Sequence, residues 1–359
     1  MDDHLRARLD AHLDAEGLES VWFGKPSNFA RLTEGGDNVV DHHSPVGCAV
    51  AGYDGDRRHV VTNNIEAPRL AEEEFPDADY HTFEWYEGGL AEAVADVATE
   101  PAAADFEVPG FGDATAAMDG PLTPAERERY RSLADDTTAA LEATAHAVTP
   151  ETTEEEAAGI LKQECRARSV EAPVALVGGD ERAPTYRHYT PKQVEIGEYC
   201  LISVTGYRGG QYVSTTRTVA FDAPDWLEER WEVAARVETT ALAATREVGQ
   251  AGGTAGDVFD ALADAYAELG WAEEWRNHHQ GGATGFAGRE WKGTPDADAT
   301  VETPHAYAWN PTVRGAKTEG TWLVGETVDP LTVGDGPTRT FGAVGYDLEL
   351  AHPEIVRRD

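Results

Sequence analysis

Residues 198–221 read EYCLISVTGYRGGQYVSTTRTVAF, and residues 305–324 read HAYAWNPTVRGAKTEGTWLV. Each stretch holds two strand-like runs rich in β-branched and aromatic residues, parted by Gly, Arg, Asn or Pro. The segments before them also correspond. A helical pattern at roughly 125–147 and a second helix starting near Thr153 precede the first stretch; a helical pattern at roughly 225–247 and another starting near Thr254 precede the second. Thr153 followed by Glu156 has the form of a capping box, and Thr254 followed by Asp257 is a weaker variant. His188 lies between helices and strands in the first half, and His278-His279 in the second. A helix-helix-strand-strand unit used twice predicts an α+β fold. Its helices would cover one face of a curved, mostly antiparallel sheet, with a pocket between the halves.

Upstream, ADVATEPAAADFEVPGFGDATAAMDGPLTPAE is rich in Ala, Pro and Gly, which places a domain boundary near residue 120. The expected division is an α/β domain over 1–120 and the duplicated domain over 121–359. Within the first domain, residues 1–20 have helical periodicity. SVWFGKPSNFARLTEGG reads as a short strand, a Pro-containing loop and a further segment. Tyr53-Asp54-Gly55-Asp56 reads as the turn of a hairpin.

The chain carries 66 Asp plus Glu against 29 Lys plus Arg, a formal charge of −37, and only five of the basic residues are Lys. The acids are spread along the whole sequence. Such a surface suits a protein that stays hydrated in concentrated salt, and it predicts a halophilic source. No basic stripe offsets the field, so nucleic acid is excluded as a partner. No run of eighteen apolar residues occurs, so no membrane span is expected. MDDHLRARLDAHLDAEGL lacks the apolar core of a secretory signal. Cys48, Cys165 and Cys200 are scattered without CxxC spacing, which argues against a disulfide framework or zinc ribbon. The expected setting is the cytoplasm.

Five motifs in order resemble the creatinase/aminopeptidase P/prolidase superfamily, whose fold is known as pita-bread. Ser27 to Thr33, SNFARLT, looks like its N-terminal "eNirYLTG". Arg187-His188-Tyr189 matches its "HY". Gln211 to Thr218, QYVSTTRT, looks like "GYcsDiTRT". Asn277 to Glu290, NHHQGGATGFAGRE, is similar to "hrtGHGiGldvHE". Gly315 to Val324, GAKTEGTWLV, looks like "GiriEdtvlV". The resemblance spans almost the whole chain. It implies a creatinase-like N-terminal domain, a pita-bread C-terminal domain, a hydrolase and a homodimer.

The superfamily's peptidases hold two metal ions with Asp, Asp, His, Glu and Glu. The resemblance puts these places on Ser203, Ser214, Gly282, Asn310 and Glu319. Neutral Ser and Asn cannot supply the charge that divalent ions need, and Gly ligates nothing. An alignment that slides His279 into the ligand place still leaves both Asp positions as Ser. NHHQGGATGFAGRE also lacks the GxxxxGK[ST] of a phosphate loop. The expectation is no metal and no cofactor.

Creatinase, a metal-free member, cleaves a C–N bond with the His of "HY" and holds its cationic substrate with Glu. By that resemblance His188 is the candidate general acid–base, and Glu319 the candidate holder of a cationic group. The alternative for Glu319 is an ion pair with Lys317 or Arg314. Ser203, Ser214, His278, His279, Arg289, Glu290 and Asn310 are candidates to bind substrate. For Arg289 two roles stay open, a bidentate clamp on a substrate carboxylate or an internal ion pair. His278 and His279 read as one packed and one pocket histidine. The function expected is metal-independent hydrolysis of a C–N bond in a small amino-acid-like or guanidinium-like solute. Alternatives are an Xaa-Pro aminopeptidase or dipeptidase, and a non-catalytic small-molecule or peptide binder.

Overall fold

The computed structural model describes residues 1–358, which form two compact units. The first comprises Met1–Glu126 with Gly209–Gln211, the second residues 127–208 with 212–358.

The first unit is built on a six-stranded mixed sheet of β1 (Ser20–Phe23), β2 (Ala49–Tyr53), β3 (Arg58–Asn63), β4 (Asp79–Phe83), β5 (Ala102–Ala104) and β6 (Gly112–Asp113), in the order β4-β3-β2-β1-β5-β6. Helix α1 (Asp3–Glu16) starts where the Asp2 carboxylate accepts from the amides of His4 and Leu5, and it ends at left-handed Gly17. Leu5, Leu9 and Leu13 recur at the helical spacing and pack with Val21, Phe23 and Val60. The expected hairpin is present: β2 and β3 pair antiparallel, and the Asp54 carboxylate accepts from the amides of Asp56 and Arg57. Pro26 does not lie in a loop. It opens α2 (Pro26–Leu32), where its missing N–H has no partner to lose. Short α3 (Ala67–Arg69) and α4 (Leu90–Val97) complete the unit.

The second unit carries the duplicated pattern. Helices α5 (Pro124–Ala147) and α6 (Glu154–Arg166) precede β7 (Glu171–Gly179), β8 (Tyr199–Arg208) and β9 (Gln211–Ala220). Helices α7 (Leu227–Ala251) and α8 (Ala255–Glu268) precede β10 (Gly281–Thr284), β11 (His305–Trp309), β12 (Thr312–Val313), β13 (Ala316–Lys317) and β14 (Gly320–Val324). Strands β15 (Val328–Pro330), β16 (Thr338–Gly342), β17 (Glu349–Pro353) and β18 (Val356–Arg357) follow. The sheets are β18-β9-β8-β7 and β10-β11-β14-β15, with small ladders β12-β13 and β16-β17. Strand β18 runs parallel to β9, while β7-β8, β10-β11, β11-β14, β12-β13, β14-β15 and β16-β17 are antiparallel, so this unit is mostly antiparallel. Both capping boxes form, at Thr153/Glu156 and Thr254/Asp257. Val237, Ala241 and Leu242 of α7 pack with Trp309, Trp322 and Val324 of the second sheet. Trp309 also donates its indole N–H to Thr245 at 3.0 Å, so this buried indole is satisfied.

Both long strand runs of the second half are broken. The first stops after Trp309, at Asn310-Pro311; the second is interrupted at Thr318-Glu319. These breaks leave Asn310 and Glu319 at strand ends, free of the strict alternation that would fix their direction. Among the described residues, no helix is long and apolar enough to cross a membrane.

Candidate active site

Ser203 on β8 and Ser214 and Thr216 on β9 lie at period-two positions, so they share one face of their sheet. The segment that carries Glu319 is stitched to β9. The Thr216 amide donates to the Glu319 carbonyl at 2.9 Å. Ser214 N–H donates to Thr321 Oγ1 at 3.0 Å, and that hydroxyl donates to the Ser214 carbonyl at 2.8 Å. The result is one cavity of about 410 Å³, bordered by His188, Ser203, Ser214, His279, Arg289, Lys292, Asn310, Lys317 and Glu319 among others.

Glu319 is its hub. Lys317 Nζ lies 2.8 Å from Oε2, Arg289 Nη2 2.8 Å from Oε1, and Thr216 donates its hydroxyl to Oε2 at 2.8 Å. Burial alone would raise this carboxyl; Lys317 and then Arg289 override it and hold it at about 2. The hydroxyl chain behind it has one consistent direction. Thr216 gives its only proton to Glu319, so Ser203 donates to Thr216 at 2.7 Å and accepts from Tyr189 at 3.0 Å. Ser214 accepts from Arg289 Nη1 at 3.2 Å and shares a 3.0 Å bond with Thr205.

These residues do not fit a pair of divalent ions. Ser203 and Ser214 are occupied by internal bonds. Gly282 has φ +153°, and a Cβ there would fall 2.3 Å from the Trp291 carbonyl oxygen, so no ligating side chain has room. The one carboxylate left already balances two fixed cations. Asn310 is buried with its Oδ1 unpartnered, a neutral acceptor facing the same cavity.

The three histidines do converge. His188 Nε2 and His278 Nε2 are 3.2 Å apart, and one nitrogen from each of His188, His278 and His279 lies within 4.8 Å of the others. His278 is buried and held down at about 2 by burial, then Lys317; His279 is held at about 4 by burial, then Arg289 and Lys292. His188 is the most exposed of the three; partial burial of its ring, and then Lys317, lower it. All three are therefore neutral near pH 7. Neutral imidazoles can ligate a transition metal. A dication here would, however, sit beside the same cations that keep the rings unprotonated.

The sequence candidates are thus mostly gathered at one place. Glu319 takes the alternative role, an ion pair with Lys317, and Arg289 takes the internal one of its two, so no free charge is left for a cationic group. Glu290 is not at the cavity wall. It takes the His305 ring at 2.7 Å and the Phe286 amide at 3.1 Å. His278 packs behind His188 and His279, with ring centroids 5.0 and 4.4 Å away. Lys292, Thr205 and Thr216 were not singled out from sequence. The scarcity of lysine was a usable signal, since Lys292 and Lys317 are two of only five.

The profile of metallopeptidase family M24 matches residues 128–324, more than half of the chain. No curated protein matches. Among solved structures, the prolidase from Pyrococcus horikoshii OT3 superposes with a TM-score of 0.74 at 14% identity, over 93% of this chain and 99% of that one. The Xaa-Pro dipeptidase from Bacillus anthracis gives 0.71 at 15% identity, over 99% of each. The N-terminal domain of the FACT complex subunit SPT16 from chickpea gives 0.63 at 10% identity, over 91% of this chain and 96% of that one. At such identities these likenesses carry the fold, and the profile carries the family: the chain belongs to metallopeptidase family M24 and has the pita-bread architecture of the prolidases.

Proposed function

We propose that the protein hydrolyses the amide bond of a small amino-acid-like or dipeptide-like solute without a metal pair. The observation that carries this reading is the His188–His278 pair beside a cavity lined by Ser203, Ser214 and Asn310, at places where the family resemblance would put anionic metal ligands. A neutral His188 can take a proton from an attacking water and return it to the leaving nitrogen. His278, 3.2 Å away and unable to charge, holds the ring by donating to or accepting from it. A guanidinium substrate loses support, because its natural counter-charge, Glu319, is neutralised within the chain. Peptide-like substrates gain it from the family and from neighbours described as prolidases and an Xaa-Pro dipeptidase.

The test is a panel of dipeptides, Xaa-Pro among them, N-acyl amino acids and guanidino compounds, with and without chelator. Turnover of an amide that survives chelation is expected, and His188→Ala should lower kcat by roughly 10²–10⁴-fold in a folded protein. Chelation that abolishes turnover, or an unchanged kcat in the variant, rejects the mechanism. A second reading is a binder on the same scaffold. It is favoured by the absence of four of the five ligands that the resemblance calls for and by a structural neighbour not described as a peptidase; absence of turnover across the panel with retained binding would select it.

A further inference from the structure

With 66 acids against 29 bases, a cavity of this chain would ordinarily be bordered by carboxylates. The active-site cavity is the reverse. Arg289, Lys292 and Lys317 border it, and Glu319 is the one carboxylate among its walls. Glu319 can balance one of the three charges. Lys292 is exposed and makes no ion pair among the described residues. Arg289 Nε is buried without a hydrogen-bond partner, so this guanidinium keeps an unused donor after binding Glu319, Ser214 and the Gly288 carbonyl. Lys317 has three protons and one strong acceptor, its bond to Ser203 being a long 3.5 Å. The remaining polar walls, Ser203, Thr205, Tyr212, Ser214, Asn310 and the two histidines, carry no negative charge and offset nothing.

We propose that this cavity is an anion site, standing where the superfamily's peptidases hold cations, and that Arg289, Lys317 and Lys292 receive an oxyanion group of a small ligand. A surplus of desolvated charge at a concave site is a cost to the fold unless a ligand of opposite charge completes it. The neutral histidines fit the same picture, since the cations that would greet an anion also suppress imidazolium. The oxyanion has two possible sources, a carboxylate already on the ligand or the oxygen of a tetrahedral adduct formed during hydrolysis. The first needs no bond cleavage, so the anion site stands or falls separately from the hydrolase reading.

The experiment is calorimetric titration of the full chain at fixed potassium chloride concentration. The probes are N-acetylglycine, its neutral amide N-acetylglycinamide, and the N-acetylated, C-amidated phosphinate isostere of glycylglycine, whose only charge is tetrahedral. At least one anion should bind about tenfold or more tighter than the neutral amide, the scale of one charge-assisted hydrogen bond. Preference for N-acetylglycine assigns the ligand's own carboxylate; preference for the phosphinate assigns the adduct. Arg289→Gln should weaken the preferred anion by about tenfold or more. Lys292→Gln, at an exposed position with no structural partner, should weaken it by about two- to fivefold with folding intact. Glu319→Gln makes the sharpest distinction. It should tighten anion binding, and the anion should restore part of the thermal midpoint that the variant loses. Equal affinity for charged and neutral probes, or an unchanged affinity in Lys292→Gln, overturns the proposal. So does a folded Glu319→Gln variant that no longer binds the anion.

Discussion

Lys317→Met isolates the interaction on which the site's electrostatics turn. Lys317 is 4% exposed and its ammonium lies 2.8 Å from Glu319 Oε2. Met matches the stem, so the variant removes charge with little change in packing. Deleting one partner of a buried pair costs about 3–5 kcal/mol when the other is left alone. Arg289 and Thr216 still hold Glu319 here, which places the expected loss near the lower end, about 3 kcal/mol. The proton linkage sets the pH dependence. Burial raises the Glu319 carboxyl, and Lys317, then Arg289 and Thr216, override it and hold it at about 2 in the folded chain. The sign follows from the depressed value. The stabilisation is present above pH 4.5 and is lost as pH falls through about 2. Lys317 also opposes protonation of His278, so the variant eases the acid penalty at that ring. Denaturant midpoints of parent and variant should therefore differ by about 3 kcal/mol at pH 7 and converge as the pH is lowered below about 4. A difference under about 1 kcal/mol at pH 7, or one that is independent of pH, would refute the reasoning: Lys317 would then be a solvated rim charge.

Three other outcomes are expected. If His188 acts as a base on an identified substrate, its lowered value keeps it unprotonated below the usual titration, so the acid limb of kcat/KM should fall below pH 6.5; a limb at or above 6.5 contradicts the partial burial of its ring and, after it, the effect of Lys317. Gly282→His should not create a metal site. Its Cβ meets the Trp291 carbonyl at 2.3 Å, so a thermal midpoint lowered by several degrees and no gain in bound zinc by elemental analysis are predicted. The charge of −37 should make the midpoint rise between millimolar and molar potassium chloride as carboxylate repulsion is screened, and a flat profile would count against a halophilic origin.

The parts of the fold that were legible are those encoded locally. Thr153 and Glu156 form their box because both groups sit three residues apart on one turn, with Glu156 accepting from the Thr153 amide at 2.9 Å. The turn at Asp54 is likewise written in four residues. Strand β7 was not foreseen. EAPVALVGG contains Pro173 near its start, and its register with β8 shifts between Glu171 and Val174, so its strand character comes from a distant partner. The pair β16 and β17 was missed for the same reason: Thr338 to Gly342 has only Phe341 fully buried, which leaves no clear alternation. At the site, the motif order located the cavity but not its charge state. Arg289 reaches Glu319 across thirty residues of chain. Nothing in local spacing told that contact from a clamp on substrate. Glu290, in the loop after β10, was similarly ambiguous, since its partner His305 lies fifteen residues on, in β11.

The substitutions at the metal places are better understood together than one by one. A site with four anionic ligands and no cation would repel itself, and a site with two dications and one carboxylate would be as unbalanced in the other direction. Here Ser203, Ser214 and Asn310 remove carboxylate charge, and Lys317 and Arg289 supply fixed positive charge around the carboxylate that remains. Glu319 then changes role from metal ligand to anchor for two side-chain cations, while Ser203 and Ser214 become acceptors that steady Lys317 and Arg289. Each replacement makes sense only in the presence of the others. The field they create has a direction: positive toward the cavity, with Lys292 adding to it at the rim and no free acid among the walls opposing it. A carboxylate in such a field keeps its charge, an imidazole loses its proton, and an oxyanion arriving from solvent is drawn in. That combination, a neutral base next to fixed cations, is what acyl transfer needs when no metal polarises the carbonyl.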